Sequence, residues 1–316
     1  MIQASDIQGV MAMMPAFATD DANSTRAKDT VNVPELERAV DQAVRDGIGV
    51  IATTGTFGEC HTLLWEEFTT LADATVAAVD KRIPVVIGCT SLHTREVLLK
   101  MDHAAKAGAD AVLVGVPLYF KSSVANAVQF YFDLADAHPE LGIFIYHNPR
   151  NHHIHIPVPA FKELVTSPNI VGMKDSHRTP MQFMQLMEVV RGRISVMTNQ
   201  NQMYPYMMMG AAGCWSINAW MGPSPVVRAY RAGRAGRWDE VREICMAMAR
   251  VGGRDPSETD PVESKIAINE AGYCYAGPGR PPFRVTTDAT REEAKGIAQR
   301  WRKLCLDYPL PKEAAA

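Results

Sequence analysis

Short apolar runs alternate with amphipathic stretches between Val10 and Ile217. Runs that lack polar alternation are typical of strands covered on both faces, as in a parallel sheet. We predict eight strands, at Val10–Met14, Gly49–Thr53, Pro84–Gly88, Ala111–Val116, Gly142–Tyr146, Ile170–Lys174, Ile194–Thr198 and Gly213–Ile217. The pattern indicates an α/β protein.

The stretches between these runs have the pattern of helices that end at glycine. In Pro34–Asp46 and Thr94–Ala107 the apolar residues fall on one helical stripe. Gly47 and Gly108 follow these two segments, and Gly210 precedes the last predicted strand in a similar way. A glycine at a helix end followed by a short loop is what a repeated helix–strand connection requires.

Eight strands with helices between them predict a (β/α)8 TIM barrel, a fold of typically ~250 residues. An open, doubly wound sheet is the alternative. That fold commonly has a G-x-G-x-x-G motif after the first strand, and this chain has none there. The pattern therefore favours the barrel.

The strand pattern stops after Ile217. Helices are predicted at Pro223–Ala235, Trp238–Val251, Pro261–Ala271 and Arg291–Leu306. We predict a barrel of residues 1–235 and a C-terminal helical extension of residues 236–316 packed on it, because no low-complexity linker separates them. We expect the tail Pro309–Ala316 to be loose.

Composition and charge narrow the classes of partner. The 316 residues are 47% hydrophobic and 21% charged, with a formal net charge of −3, unlike a nucleic-acid-binding protein with a basic stripe. No run approaches the ~18 apolar residues of a membrane span, and the first residues lack the positive region of a signal peptide. We expect neither nucleic acid nor a membrane as partner.

Six cysteines are scattered along the chain without a C-x-x-C pair, at Cys60, Cys89, Cys214, Cys245, Cys274 and Cys305. This spacing favours reduced thiols over a disulfide framework or a cysteine-bound zinc. We expect a cytoplasmic protein without a metal.

Lys174 closes the sixth predicted strand, at the barrel end where active sites of this fold lie. A buried neutral amine there would form an imine with a ketone. The alternative is a lysine that extends its stem and keeps its charge in water. Tyr146 closes the preceding strand, so the two tips would meet, and it is our candidate acid–base group. Alternatively, its ring only packs and its hydroxyl only forms a hydrogen bond.

The turn Gly55-Thr56-Phe57-Gly58 follows the second predicted strand. Consecutive backbone N–H groups bind an anion where glycines admit conformations that other residues avoid. A tight turn without a ligand is the alternative. Ser216, at the end of the eighth strand, is a further candidate contact with substrate.

Two clusters have both a chemical and a structural interpretation. His152, His153 and His155 could ligate zinc, as in a metal-dependent aldolase, but their place after Pro149 favours a loop or surface role. The second cluster could line an adaptable pocket for a flat ring, although its helical spacing favours core packing. It consists of Met203, Tyr204, Tyr206, Met207, Met208 and Met209.

Three motifs in order resemble the signatures of the N-acetylneuraminate lyase/dihydrodipicolinate synthase superfamily. They are Gly55-Thr-Phe-Gly-Glu59, Tyr146-His-Asn-Pro149 and Gly172-Met-Lys-Asp175, and the likeness extends from about Gly9 to Val285. The resemblance implies a class I enzyme in which Lys174 forms a Schiff base with pyruvate or a related 2-oxo acid, without a cofactor. It also implies that Tyr146 moves protons.

The same resemblance assigns further residues. The amides of Thr56 and Phe57 would hold the carboxylate of the 2-oxo acid. Thr56 and Tyr119 match positions that relay protons to the catalytic tyrosine, and Tyr119 would do so across a subunit interface. The family also implies a homotetramer built from dimers.

Within the superfamily the chain resembles the hydratase-aldolases of polycyclic aromatic hydrocarbon breakdown, which cleave benzylidenepyruvates into an aromatic aldehyde and pyruvate. The matching segments are Gly55–Cys60, Thr94–Val97, Gly115–Pro117, Ala125–Tyr131 and Ala276–Pro282. Phe57 stands where synthases commonly carry a second hydroxyl residue, and Asn151 stands where they carry an arginine for a substrate carboxylate. Both differences argue against a synthase.

Two departures from the hydroxybenzylidenepyruvate pattern concern the aromatic ring. Tyr119 replaces a tryptophan, and Ala267 replaces an asparagine. If that asparagine recognises an ortho hydroxyl, this enzyme prefers another ortho group. We expect the carboxylate of 2-carboxybenzalpyruvate, with Arg150 or Arg284 as its partner. The alternatives are a dihydrodipicolinate synthase-like or sugar-acid enzyme acting on another 2-oxo acid, and a non-catalytic 2-oxo acid binding protein.

Overall fold

The computed structural model describes residues 1–175, 177–252 and 262–310. Among these residues, eight parallel strands form a closed barrel in which each strand pairs with the next and the eighth pairs with the first. They are β1 (Gly9–Met13), β2 (Val50–Ala52), β3 (Val85–Gly88), β4 (Ala111–Val114), β5 (Gly142–His147), β6 (Ile170–Asp175), β7 (Ser195–Asn199) and β8 (Gly213–Ser216). The predicted (β/α)8 fold is confirmed, with small shifts at the strand ends.

Helices surround the barrel and continue beyond it. The described ones are α1 (Val33–Arg45), α2 (Trp65–Val79), α3 (Thr94–Ala107), α4 (Val124–Ala137), α5 (Pro149–His152), α6 (Phe161–Leu164), α7 (Pro180–Val190), α8 (Met203–Tyr206), α9 (Ser224–Arg234), α10 (Trp238–Ala249), α11 (Glu263–Ala271) and α12 (Asp288–Asp307). Gly108 ends α3 with φ +91°, in the left-handed conformation that the sequence pattern predicts.

Alternation along the strands produces two apolar layers. The inner layer fills the barrel and includes Met11, Val50, Leu113 and Phe144. The outer layer is larger and packs the strands against the helices. Because each strand is covered on both faces, its sequence is almost entirely apolar.

The C-terminal helices pack on the barrel and on each other. Helix α10 lies against α9, and α11 lies against α12. Trp301 of α12 is fully buried, and its Nε1 donates to the carbonyl oxygen of Gly222 at 2.9 Å. The boundary at residue 235 stays a prediction. Pro261, with which we began the third C-terminal helix, and residues 311–316 of the predicted loose tail lie outside the described residues.

All six cysteines are free thiols in this structure. None of the described helices combines the length and the apolar character that crossing a membrane requires.

Candidate active site

Tyr146 and Lys174 meet at the carboxyl end of the barrel. They are Cα partners in the register between β5 and β6, and only 5% of Tyr146 and 4% of Lys174 is exposed. The Lys174 Nζ lies 4.3 Å from the centroid of the Tyr146 ring. The structure therefore brings together the two residues that the strand ends predict.

A bulge in β6 turns Lys174 toward the barrel interior. The register between β5 and β6 shifts by one residue beside Phe144, so β6 carries an extra residue at Val171. Val171 belongs to the inner layer and Met173 to the outer one, which leaves Lys174 facing inward. Gly172 makes the bulge possible, because a Cβ there would collide with the ring of Phe144.

The environment of Lys174 disfavours its charged form. Burial lowers the pKa of the ammonium group, and the neighbouring Tyr146 and Asp175 partly oppose that shift. The Nζ also lies 3.7 Å from the centroid of the Trp215 ring. The Trp215 Nε1 donates to the carbonyl oxygen of Asp175 at 3.0 Å, which fixes the indole against the lysine. A lowered pKa makes the neutral, nucleophilic amine more available.

Trp215, not Ser216, is the residue of β8 that lies beside Lys174. Trp215 packs against the inner layer, whereas Ser216 faces away and is fully buried. The Ser216 hydroxyl donates to the Gln200 side chain and accepts from the Ala219 N–H. Our prediction that Ser216 contacts substrate therefore has no support from its position. Alternation places Trp215 and Ser216 on opposite faces of β8, but it does not show from the sequence which face points inward.

Thr56 links the glycine-bearing turn to Tyr146. Its Oγ1 lies 3.0 Å from the Tyr146 hydroxyl oxygen and accepts from Asn151 Nδ2 at 3.2 Å. Thr56 is exposed and Phe57 is half-buried. Among the described residues, no acceptor contacts the backbone N–H of Thr56 or Phe57. Two adjacent N–H groups are thus available to an anion beside Tyr146.

The turn obtains its shape differently from our prediction. The left-handed conformations occur at Thr54, with φ 40°, and at Glu59, with φ 53°, and not at the two glycines. Gly58 is required for close packing, since a Cβ there would lie 2.6 Å from the Thr54 backbone nitrogen. The expectation that the glycines supply unusual backbone angles was wrong.

Buried charges hold this turn against the C-terminal extension. The Glu59 Oε2 lies 2.9 Å from Lys265 Nζ and 2.7 Å from an Arg280 guanidinium nitrogen. Arg280 also donates to the carbonyl oxygens of Ala16 and Thr30, each at 2.8 Å. Sequence reasoning missed this cluster, although Glu59 is part of the quoted motif.

Tyr119 lies on the surface of the single chain. It is 75% exposed, and its ring contacts Phe120, which is 81% exposed. The relay that the family resemblance assigns to Tyr119 therefore requires a second subunit and stays a prediction.

His152 is buried beside Tyr146. Only 3% of it is exposed, and its ring packs edge-on against that of Tyr146 at 4.8 Å. Gly115 leaves the space for the imidazole. The expected loop or surface role was wrong for His152, while His153 and His155 are exposed. Desolvation lowers the pKa of His152 to about 4, so the ring packs as neutral imidazole.

The methionine and tyrosine cluster lies mainly in the outer layer. Met203 is fully buried, Tyr206 is 5% exposed, and Met208 is 54% exposed. The Tyr206 hydroxyl donates to the carbonyl oxygen of Arg178 at 2.5 Å. These positions favour core packing over the pocket for a flat ring.

A second registered pair lies directly behind the first. His147 and Asp175, the next residues of β5 and β6, are also Cα partners. The His147 Nδ1 lies 3.1 Å from Asp175 Oδ1 on the outer face of the sheet. Both side chains are almost fully buried, so this pair connects the two strands that carry Tyr146 and Lys174. Sequence reasoning missed it.

The model of the dihydrodipicolinate synthetase family matches residues 17–300. The chain belongs to this family. It is thus a class I lyase, and enzymes of the family use a lysine Schiff base with pyruvate and no external cofactor. The family resemblance stated from the motifs is confirmed.

Similar proteins include two hydratase-aldolases. The trans-O-hydroxybenzylidenepyruvate hydratase-aldolase of Pseudomonas aeruginosa is 30% identical over 322 residues, which cover 97% of this chain and 96% of that protein. The trans-2'-carboxybenzalpyruvate hydratase-aldolase of Nocardioides sp. (strain KP7) is 28% identical, with 97% and 96% covered. A solved structure, PhdJ bound to substrate intermediate, has a TM-score of 0.92 and 28% identity over 97% of this chain and 99% of its own.

Proposed function

We propose that the protein is a hydratase-aldolase that cleaves an ortho-substituted benzylidenepyruvate to an aromatic aldehyde and pyruvate, in the breakdown of polycyclic aromatic hydrocarbons. The observation that carries this proposal is the buried, registered pair of Tyr146 and Lys174. The N–H groups of Thr56 and Phe57 lie in the turn that contacts Tyr146. This arrangement suits a 2-oxo acid, whose ketone would face the amine while its carboxylate accepts from the two amides.

The reaction begins when neutral Lys174 attacks the ketone carbon. Loss of water gives an iminium ion that draws electrons from the conjugated chain, and the face of Trp215 stabilises its positive charge. Water adds at the benzylic carbon, and the adjacent chain carbon takes a proton. Tyr146, with its hydroxyl 3.0 Å from Thr56 Oγ1, carries these protons.

Cleavage follows from the same iminium ion. Removal of the proton from the new hydroxyl breaks the carbon–carbon bond, expels the aldehyde and places the electron pair in an enamine on Lys174. Protonation of the enamine carbon and hydrolysis of the imine release pyruvate. The sum of these steps consumes one water molecule. The iminium ion is the electron sink throughout.

The ring substituent is the finer part of the proposal, and we favour an ortho carboxylate. Asn151 stands where the synthases carry an arginine for a substrate carboxylate. It is uncharged and donates a hydrogen bond to Thr56. Ala267 lies in α11 beside a cavity of about 110 Å³ that Ile217 and Asn218 also line, next to the end of β8. Arg150 is exposed and directly precedes Asn151, so it is better placed than Arg284 to meet a carboxylate at the barrel mouth.

A panel of benzylidenepyruvates with carboxylate, hydroxyl or hydrogen at the ortho position tests the assignment, with loss of ultraviolet absorbance as the readout. The carboxylate should give the highest kcat/KM. Arg150→Gln should lower that value roughly 10-fold or more, about the worth of one charge-assisted hydrogen bond, and Arg284→Gln should leave it unchanged. Turnover of aspartate semialdehyde or an acidic sugar without turnover of the panel would show that the substrate assignment is wrong. Pyruvate binding without any turnover would indicate a binding protein.

We also propose a homotetramer and a cytoplasmic location. The neighbouring exposed rings of Tyr119 and Phe120 suit burial between subunits, and the six free thiols suit a reducing compartment. Light scattering on the eluting protein would measure the assembly. A monomer at working concentrations would contradict the first proposal and remove the role of Tyr119.

A further inference from the structure

Three imidazoles form a cluster on the outer side of the strands that carry Tyr146 and Lys174. His147 ends β5, His155 lies in the loop after α5, and His177 lies in the loop after β6. One nitrogen of each ring lies within 4.8 Å of those of the other two. The group differs from the sequence-based candidate, because His155 joins two histidines from elsewhere in the chain.

The spacing of the ring centroids is close to that of a three-histidine metal site, whereas the ligand nitrogens, which lie within 4.8 Å of one another, would have to move closer together. Their centroids are 4.7 Å apart for His147 and His177, 5.2 Å for His155 and His177, and 5.4 Å for His147 and His155. A tetrahedral zinc ion with three imidazole ligands at ~2.05 Å places the centroids about 5.2 Å and the ligand nitrogens about 3.3 Å apart. The His155 Nδ1 and His177 Nε2 are 3.0 Å apart and share a hydrogen bond in which one of them is the donor. An ion would replace this bond once the donor ring moves its proton to its other nitrogen. Shifts of a few tenths of an ångström would therefore complete this half of the site.

His147 already makes the hydrogen bond to a carboxylate that metal-bound histidines commonly make through their second ring nitrogen. Its Nδ1 donates to Asp175 Oδ1 at 3.1 Å, while its Nε2 accepts from the Ile156 N–H at 3.0 Å. A carboxylate on the second ring nitrogen orients an imidazole and increases its basicity toward a metal. The Nε2 lone pair can bind an ion only if Ile156 gives up its hydrogen bond, which leaves a buried N–H group without an acceptor at a cost of about 1–3 kcal/mol.

The residues around the three histidines determine how tightly the cluster would bind an ion. His155 and His177 are exposed, so a fourth position would be open to water. The Arg178 guanidinium lies 3.6 Å from Asp175 Oδ1, and its charge opposes a cation in the cluster. The affinity should therefore be lower than that of a closed four-ligand site.

We propose that His147, His155 and His177 bind a divalent transition-metal ion such as Zn²⁺, at a site separate from the Schiff-base chemistry. The ion would connect the loop after β5 to the loop after β6 and so hold together the two strands that carry the catalytic pair. It acts on the loops and takes part in no bond making. Chelation should leave turnover intact while it removes this connection.

The test is a calorimetric titration of untagged, chelator-treated full-length protein with Zn²⁺, followed by a titration with Co²⁺ monitored by visible absorption. We expect one ion per chain, the intense bands of tetrahedral Co²⁺, and a higher Tm with the metal. His155→Gln and His177→Gln should each weaken binding at least 10-fold. Both residues are exposed, so the Tm of the metal-free variants should fall only slightly, by the loss of the His155–His177 hydrogen bond, and the rise in Tm on adding metal should disappear.

His153→Gln is the matched control, because His153 is exposed two residues before His155 and lies outside the cluster. It should bind the metal as the parent does. An equal loss of affinity in His153→Gln, no saturable binding of one ion by the parent, or only the weak bands of octahedral Co²⁺ would overturn the proposal. Loss of turnover on chelation would instead contradict the proposed metal-free mechanism.

Discussion

Val171 and Lys174 both face the inside of the barrel, although residues three apart in a regular strand face opposite sides. The extra residue in β6 causes this, because it reverses the alternation between Val171 and Met173. Without the bulge, the amine of Lys174 would point toward the outer helices. The position of the nucleophile thus depends on one local irregularity of the backbone.

Gly172→Ala should disrupt that irregularity. The added methyl group would collide with the ring of Phe144, so we expect a loss of stability of roughly 1–3 kcal/mol and a fall in kcat larger than that in the affinity for pyruvate. Denaturant unfolding and steady-state kinetics would measure both. Gly252→Ala, where a Cβ meets open space, is the control. Full activity in Gly172→Ala would show that Lys174 does not need the bulge.

The hydroxyl of Thr56 should matter for proton transfer more than for binding. Thr56→Val removes the group 3.0 Å from the Tyr146 hydroxyl, and we expect kcat to fall roughly 10- to 100-fold, part of the 10²–10⁴ that acid–base catalysis supplies. Thr56→Ser keeps the hydroxyl and should retain most activity. Because the backbone amide is present in both variants, KM for the 2-oxo acid should change little. Equal kcat values for the two variants would contradict the relay.

The buried cluster around Glu59 should be a large contributor to stability. Glu59→Gln leaves the charges of Lys265 and Arg280 without their carboxylate, at a cost of roughly 3–5 kcal/mol. The exposed pair of Asp239 and Arg242, with its atoms 3.0 Å apart, provides the comparison, and Asp239→Asn should be close to neutral. Urea unfolding would measure the stability of both variants. Similar midpoints for Glu59→Gln and Asp239→Asn would contradict the prediction.

The lowered pKa of Lys174 predicts that the activity and the stability of the parent protein both increase as the pH rises through that pKa. As the pH rises through the lowered pKa, more of the amine is neutral, so kcat/KM should rise at a pH below the ordinary lysine value of 10.5. Between those two values the unfolded chain binds a proton that the folded chain lacks, so the folded state gains stability as the pH increases. Below the lowered pKa, burial of the ammonium group destabilises the fold.

Lys174→Met should therefore be inactive but more stable than the parent near neutral pH, with a difference that shrinks as the pH approaches 10.5. Tm measured across that range would test this. Lys162→Met, at an exposed position of α6, should change neither quantity. A Lys174→Met protein less stable than the parent at neutral pH would mean that burial of the amine is not unfavourable.

Much of the fold and part of the site could be predicted from the sequence. Apolar runs and helix-ending glycines define the barrel, and parallel strands bring their ends together, so Tyr146 and Lys174 could be paired without a structure. The bulge could not be predicted, because nothing in Ile170-Val-Gly-Met-Lys174 shows which residue is extra. The choice between Trp215 and Ser216 depends on knowing which face of β8 points inward. His152 is buried because of a space beside Gly115, which is a tertiary contact.

The most direct test of the account is borohydride reduction of the protein with pyruvate, followed by mass spectrometry of its peptides. Lys265 is a demanding internal control, because it is also buried and its pKa is lowered to about 8, yet it is paired with Glu59. We predict a reduced pyruvate adduct on the peptide that contains Lys174 and none on the peptide that contains Lys265. An unmodified Lys174, or an adduct on Lys265 alone, would contradict the account.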